Sequence, residues 1–141
     1  MTRRTVDEAL EAAVASLKAK LPQRVVSRSL VDPANARDED LRAGLLCLVS
    51  KGGGDFANTR GREGQLGRSN AYLVGFVRVD EQEPAAAVEQ AELALLQDVL
   101  DWCTEPGVVR PVNAVLPLDW TQSAQLEHPY GWVALRLDVR M

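Results

Sequence analysis

Two apolar runs, "RAGLLCLVS" (Arg42–Ser50) and "AYLVGFVRV" (Ala71–Val79), flank a stretch with no regular period, "KGGGDFANTRGREGQLGRS". That stretch, Lys51–Ser69, holds six of the chain's ten glycines and four basic residues. Glycine weakens a strand or helix interior by roughly 0.5–1 kcal/mol relative to alanine, so both runs are expected to end at it. The first run is apolar at odd and even positions alike. That suits a central strand covered at least in part on both faces, with a short buried helix as the competing reading. The second run suits the strand that returns. The expectation is a long β-hairpin whose tip is a flexible, Gly/Arg-rich loop over residues 51–69.

The rest of the chain must give that hairpin a core. Thr5 to about Leu21 reads as a helix: Thr5 and Glu8 form a capping-box pattern, and Pro22 ends the run. Val6, Leu10, Ala13, Val14, Leu17 and Leu21 share one narrow face at helical spacing. A second helix is predicted from Pro84 to about Thr104, with Val88, Ala91, Leu95, Val99 and Trp102 as its core stripe and Pro106-Gly107 as its stop. Glu92 falls inside that stripe. Either the helix overhangs the sheet there, the preferred reading, or Glu92 meets a partner.

"RVVSRSLV" (Arg24–Val31) reads as a strand near an edge, and "DPANARDED" after it as a polar turn. "VNAVLPLDW" contains Pro117, which cannot donate to a ladder and so marks an edge or irregular strand. Gly131–Met141 alternates cleanly: Val133, Leu135, Leu137, Val139 and Met141 are expected to point one way, Ala134, Arg136, Asp138 and Arg140 the other. The order α, β, β–loop–β, α, β, β then gives an α+β two-layer sandwich, a mostly antiparallel sheet with two amphipathic helices on one face. A chain of 141 residues suits a single domain, 1–141, without disulfides or metal. No apolar run approaches a membrane span, and "MTRRTVDEAL" opens an amphipathic helix rather than an export signal, so no membrane partner is expected.

Familiar chemistries are missing from the residues. The glycine-rich stretch has no Gly-Lys-Ser/Thr and precedes a strand, whereas a phosphate cradle or dinucleotide fingerprint needs a following helix. His128, the only histidine, stands before Pro129 in a turn and reads as an exposed turn residue. Cys47 and Cys103 form no CxxC and read as reduced buried thiols. Asp98 and Asp101 lie opposite the core stripe and read as a solvated acidic face. The chain is therefore expected to be no enzyme and to hold no cofactor and no metal.

The net charge of −4 hides an asymmetry: residues 1–70 carry 12 basic and 9 acidic side chains, residues 71–141 carry 4 and 11. This balance argues against sequence-specific nucleic-acid binding, which favours a dominant basic face. It reads either as ordinary solvation or as a subunit with a positive and a negative side, suited to head-to-tail association. Trp120, Tyr130 and Trp132 gather around the last turn, as a small satellite core or as an exposed contact patch.

Taken in order, "TVDEALEAAVASLKAKLP", "LRAGLLCLVS", the loop, "AYLVGFVRV", "AAVEQAELALLQDVLDW" and "GWVALRLDVRM" resemble the tail terminator proteins of long-tailed bacteriophages, the minor tail protein U type. The resemblance covers most of the chain by element order and length and rests on no single motif. It implies a non-enzymatic virion protein that forms a hexameric ring, caps the tail tube, stops its elongation and presents the head-joining surface. The implied partners are other copies of the chain, the tail tube protein and a head–tail joining protein. The implied location is the host cytoplasm during assembly and then the virion tail. Two alternatives stay open: another head–tail joining or minor virion protein, or a small α+β domain that binds an anionic ligand through residues 51–69.

Lys51, Arg60, Arg62 and Arg68 are the candidate partner contacts, with acids between Asp80 and Glu105 of the adjacent subunit as their targets. Replacing Arg60 and Arg62 together by Glu is expected to leave circular dichroism unchanged while weakening assembly, most severely at low salt, where repulsion is least screened. Sedimentation across a salt series checks this.

Overall fold

Thr5 does cap the first helix. Its hydroxyl oxygen accepts from the Glu8 backbone N–H at 3.1 Å, and helix α1 runs Val6–Lys20. In this computed structural model the described residues are 5–54, 68–104 and 114–140. Within them α1 is followed by β1 (Val25–Ser27), α2 (Asp38–Ala43), β2 (Leu45–Gly54), β3 (Arg68–Arg78), α3 (Ala85–Thr104), β4 (Ala114–Gln122) and β5 (Tyr130–Arg140). The strands form one five-stranded sheet in the order β1-β2-β3-β5-β4. Only β1–β2 is parallel; every other pair is antiparallel. The fold is α+β, as the order of elements suggested, and β1 and β4 are its edges.

The alternation within each strand decides what packs where. Leu46 and Leu48 of β2, Leu73 and Val77 of β3, and Val133, Leu135, Leu137 and Val139 of β5 point to the helix side. There they meet Leu10, Val14 and Leu17 of α1 and Leu95, Val99 and Trp102 of α3. The Trp102 indole N–H donates to Ser16 Oγ at 3.0 Å and ties the two helices together. The opposite parity of β2, Leu45 and Cys47, joins Leu41 of α2 in a second, smaller cluster with Val25, Val31, Ala36 and Phe76. Strand β2 is therefore covered on both faces at one end, as its continuous apolar run implies. Both cysteines are free and buried. Burial pushes the Cys47 thiol above its ordinary value, against a weaker opposing effect of the Val31 backbone.

Three expectations need correction. The segment expected to be a polar turn ends in the first half of α2: Asp38, Glu39 and Asp40 place negative charge at the helix's N-terminal turn, and Gly44, at φ 92°, ends it. The helix is six residues long with one buried side chain, Leu41, so it carries no periodic apolar stripe. As a result β2 begins at Leu45 rather than Arg42. The strands of the hairpin also run further than expected, pairing Gly52 with Asn70, Gly53 with Ser69 and Gly54 with Arg68, so both ends of the 51–69 stretch belong to the ladder.

Helix α3 sits close to the sheet because two glycines lie beneath it. A Cβ on Gly75 would come within 2.5 Å of Leu95 Cδ2, and one on Gly131 within 2.5 Å of Val88 Cγ1 and Glu92 Oε2. Leu95→Ala is expected to cost about 2–5 kcal/mol and Gly75→Ala about 1–3 kcal/mol. The double variant should cost less than their sum, since removing the Leu95 tip makes room for the new methyl. Urea unfolding of the four proteins measures the coupling.

Candidate functional site

Among the described residues, the face of the sheet opposite α1 and α3 is only partly covered. Helix α2 shields the end holding Leu45, Phe76 and Cys47, and the sheet continues beyond it. There a lateral row crosses four strands. Val49 in β2 pairs with Tyr72 in β3, Tyr72 with Arg136 in β5, and Arg136 with Asp119 in β4. Arg136 grips Asp119 through two guanidinium nitrogens, Nε at 2.7 Å from Oδ1 and Nη2 against Oδ2. This hydrogen bonding holds the Asp119 carboxyl below the usual carboxylate range, and Lys51 adds a weaker pull.

Two β-bulges bound this row. Ser50 pairs with Ala71 and Gly52 with Asn70, which makes Lys51 the extra residue of β2. Pro117 pairs with Leu137 and Asp119 with Arg136, which makes Leu118 the extra residue of β4. Pro117 explains the second bulge, because it has no N–H to donate. The first bulge turns Lys51 over Tyr72, its ammonium 4.6 Å from the ring centroid.

Apolar side chains crowd the neighbouring edge. Leu118 is 54% exposed, Trp120 47% and Leu126 84%, and Leu116 and Tyr130 are exposed as well. Leu116 lies on the open face, opposite Asp138, whereas Trp120 pairs with Leu135 on the helix side. Strand β4 thus presents apolar groups on both sides of a sheet edge that no other described strand pairs. Of the aromatics near the last turn, Trp120 and Tyr130 are exposed and Trp132 is half-buried.

The four basic residues expected to contact partners are not brought together. Lys51 stands on the open face and Arg68 begins β3 beside Gly54 and Arg140, while Arg60 and Arg62 lie outside the described residues. The acids expected to receive them are partly occupied within the chain. Arg24 donates to Asp98 at 2.9 and 3.0 Å, Arg42 to Asp80 at 2.6 Å, and Arg78 lies 3.8 Å from Glu81. Asp98 is therefore half-buried against Arg24 rather than a free solvent-facing charge. His128 is half-buried too, its Nε2 2.7 Å from the Glu83 carbonyl oxygen at the approach to α3. Among the described residues no group of three or more His, Cys, Asp or Glu could hold a metal ion, and no helix is long and apolar enough to cross a membrane.

Glu92 overturns the preferred reading of an overhanging helix: it is 1% exposed. Its carboxylate accepts from the Trp132 backbone N–H at 2.9 Å, from Gln122 Nε2 at 3.2 Å and from the Ser123 hydroxyl. These are the two strands and the turn of the β4–β5 hairpin, so Glu92 fastens that hairpin to α3. Only the fold brings these donors together, since they lie 30 to 40 residues away in the chain. Glu92→Gln puts an amide N–H among donors and is expected to cost about 1–3 kcal/mol; Glu92→Leu, which leaves all of them without an acceptor, should cost more. Urea unfolding compares the two with Ser123→Ala, which removes one donor and should cost least.

No protein-family model matches the chain, and no curated protein matches it.

Proposed function

We propose that this chain is a structural subunit of a long-tailed phage, a ring-forming tail terminator that caps the tail tube, stops its elongation and presents the surface that joins the head. The observation that supports the reading is the apolar edge. Leu116, Leu118, Trp120, Leu126 and Tyr130 stand exposed within fifteen residues of sequence, along and just after the edge strand β4. A long edge strand with exposed apolar side chains is a site for pairing or aggregation unless another chain covers it. Trp and Tyr are also favoured anchors of protein interfaces. A subunit that finishes its surface only in an assembly fits a role in which assembly is the function.

Head-to-tail rings need two different patches on each subunit. The β4 edge is one. The hairpin end of β2 and β3, with Lys51 and Arg68, is a second region of different chemistry. The reading keeps the partners implied by the resemblance: further copies of the chain in a hexamer, the tube protein and a head–tail joining protein.

Sedimentation of the full chain, alone and mixed with a tail tube protein, tests this. The expected result is a closed ring in one or both conditions, lost in Leu116→Glu/Trp120→Glu while circular dichroism stays unchanged. A wild-type chain that remains monomeric at every concentration in both conditions would overturn the reading.

A further inference from the structure

The two β-bulges bring their extra residues to opposite sides of one depression. Lys51 and Leu118 stand on the flanking strands, Asn70 and Arg136 rise from the two strands between them, and with Ala71 and Leu137 they line a pocket of about 200 Å³. This is small beside the roughly 300–1,000 Å³ of sites that hold drug-sized ligands. It suits a group of a few heavy atoms.

The polar groups at its rim are mostly donors. Lys51 is held over the Tyr72 ring and makes no salt bridge among the described residues. Asn70 is exposed and its amide makes no hydrogen bond among the described residues. Arg136 uses Nε and Nη2 for Asp119, which leaves Nη1 outside that pair. Lys51 and Arg136 stand beside two carboxylates, Asp119 and the buried Asp138 opposite Asn70, so the rim is marked by its donors rather than by a net charge. Leu118 supplies an apolar wall. Both extra residues lie on the open face and reach the same depression.

We infer that this pocket binds a carboxylate carried on a short apolar stem, with Lys51, Asn70 and Arg136 Nη1 donating to its oxygens and Leu118 covering the stem. A phosphate is less suited, because no helix N-terminus points its backbone N–H groups into the depression. The same chemistry has two sources: a free small carboxylate, or the Asp or Glu side chain of a neighbouring copy. Only the second source rests on the ring reading.

The first measurement is a butyrate titration of the ¹⁵N-labelled full chain at constant ionic strength, with butanol and sodium chloride as matched probes. Saturable shifts confined to the amides of residues 50–52, Asn70, Leu118 and Arg136 are expected. Lys51→Met keeps the stem and removes the charge, and should weaken binding about tenfold, the loss of one charge-assisted hydrogen bond. Because Lys51 is exposed, this variant should retain the wild-type fold. Equal shifts with butanol or chloride, shifts spread over exposed cations such as Lys18 and Arg37, or unchanged affinity in Lys51→Met would overturn the inference. The second measurement is sedimentation of the assembled chain with saturating butyrate. Dissociation by butyrate and weakened assembly of Lys51→Met assign the pocket to a neighbour's acidic side chain. Saturable binding with intact assembly assigns it to a free carboxylate. If the wild-type chain never assembles, the ring reading fails and the first measurement alone decides the pocket.

Discussion

Helix α3 lies so close to the central strands that β3 and β5 hold glycine where it crosses them. Gly75 admits Leu95, and Gly131 admits Val88 and Glu92. This approach buries Leu95, Val99 and Trp102 completely or nearly so and brings the Glu92 carboxylate within reach of the Trp132 backbone. A buried carboxylate is tolerated where donors surround it, and the β4–β5 hairpin supplies three of them. The hairpin, in turn, holds β4 in place as the sheet edge. The edge patch and the bulged pocket both depend on this one packing contact.

Charge is organised mostly within the chain. Along the sequence, base is in excess before residue 71 and acid after it, the pattern of a subunit with two poles. In three dimensions Arg24 reaches Asp98, Arg42 reaches Asp80, and Arg136 holds Asp119. The first two of these pairs cross the very division that creates the asymmetry. Such exposed or half-exposed pairs are individually weak because water and salt screen them, yet they occupy acids that a neighbour's cations would otherwise meet. Under the proposed reading, partner recognition falls to the apolar edge and to the cations beside it rather than to the bulk charge.

The pocket and the edge share a cause in backbone geometry. Each bulge leaves its extra residue on the open face, where a count of two from Val49 and from Leu116 also places it, and resets the alternation of the residues that follow. Lys51 is thereby set over Tyr72, and Leu118 is set beside Arg136. The second bulge sets Asp119 opposite Arg136 and turns Trp120 to the helix side, so the ion pair forms beside Leu118. The helix α2 on the same face stops short of this region, so no other described element covers the row from Val49 to Asp119.

The sequence by itself determined the elements whose apolar pattern is long enough to be periodic. The two long helices, the hairpin, the Pro117 edge strand and the alternating β5 follow from spacing alone, because each must hide one stripe or one face. Helix α2 was not legible, since six residues with one inward Leu41 have no period to read. The site was legible only as residue types. Lys51 stood out for its charge, but its position as a bulge depends on the register between β2 and β3. Glu92 was visible as an acid in an apolar stripe, yet its role depended on donors 30 to 40 residues away. Tertiary structure decided these points because register and long-range hydrogen bonding are properties of how elements meet, while periodicity records only that an element has an inside.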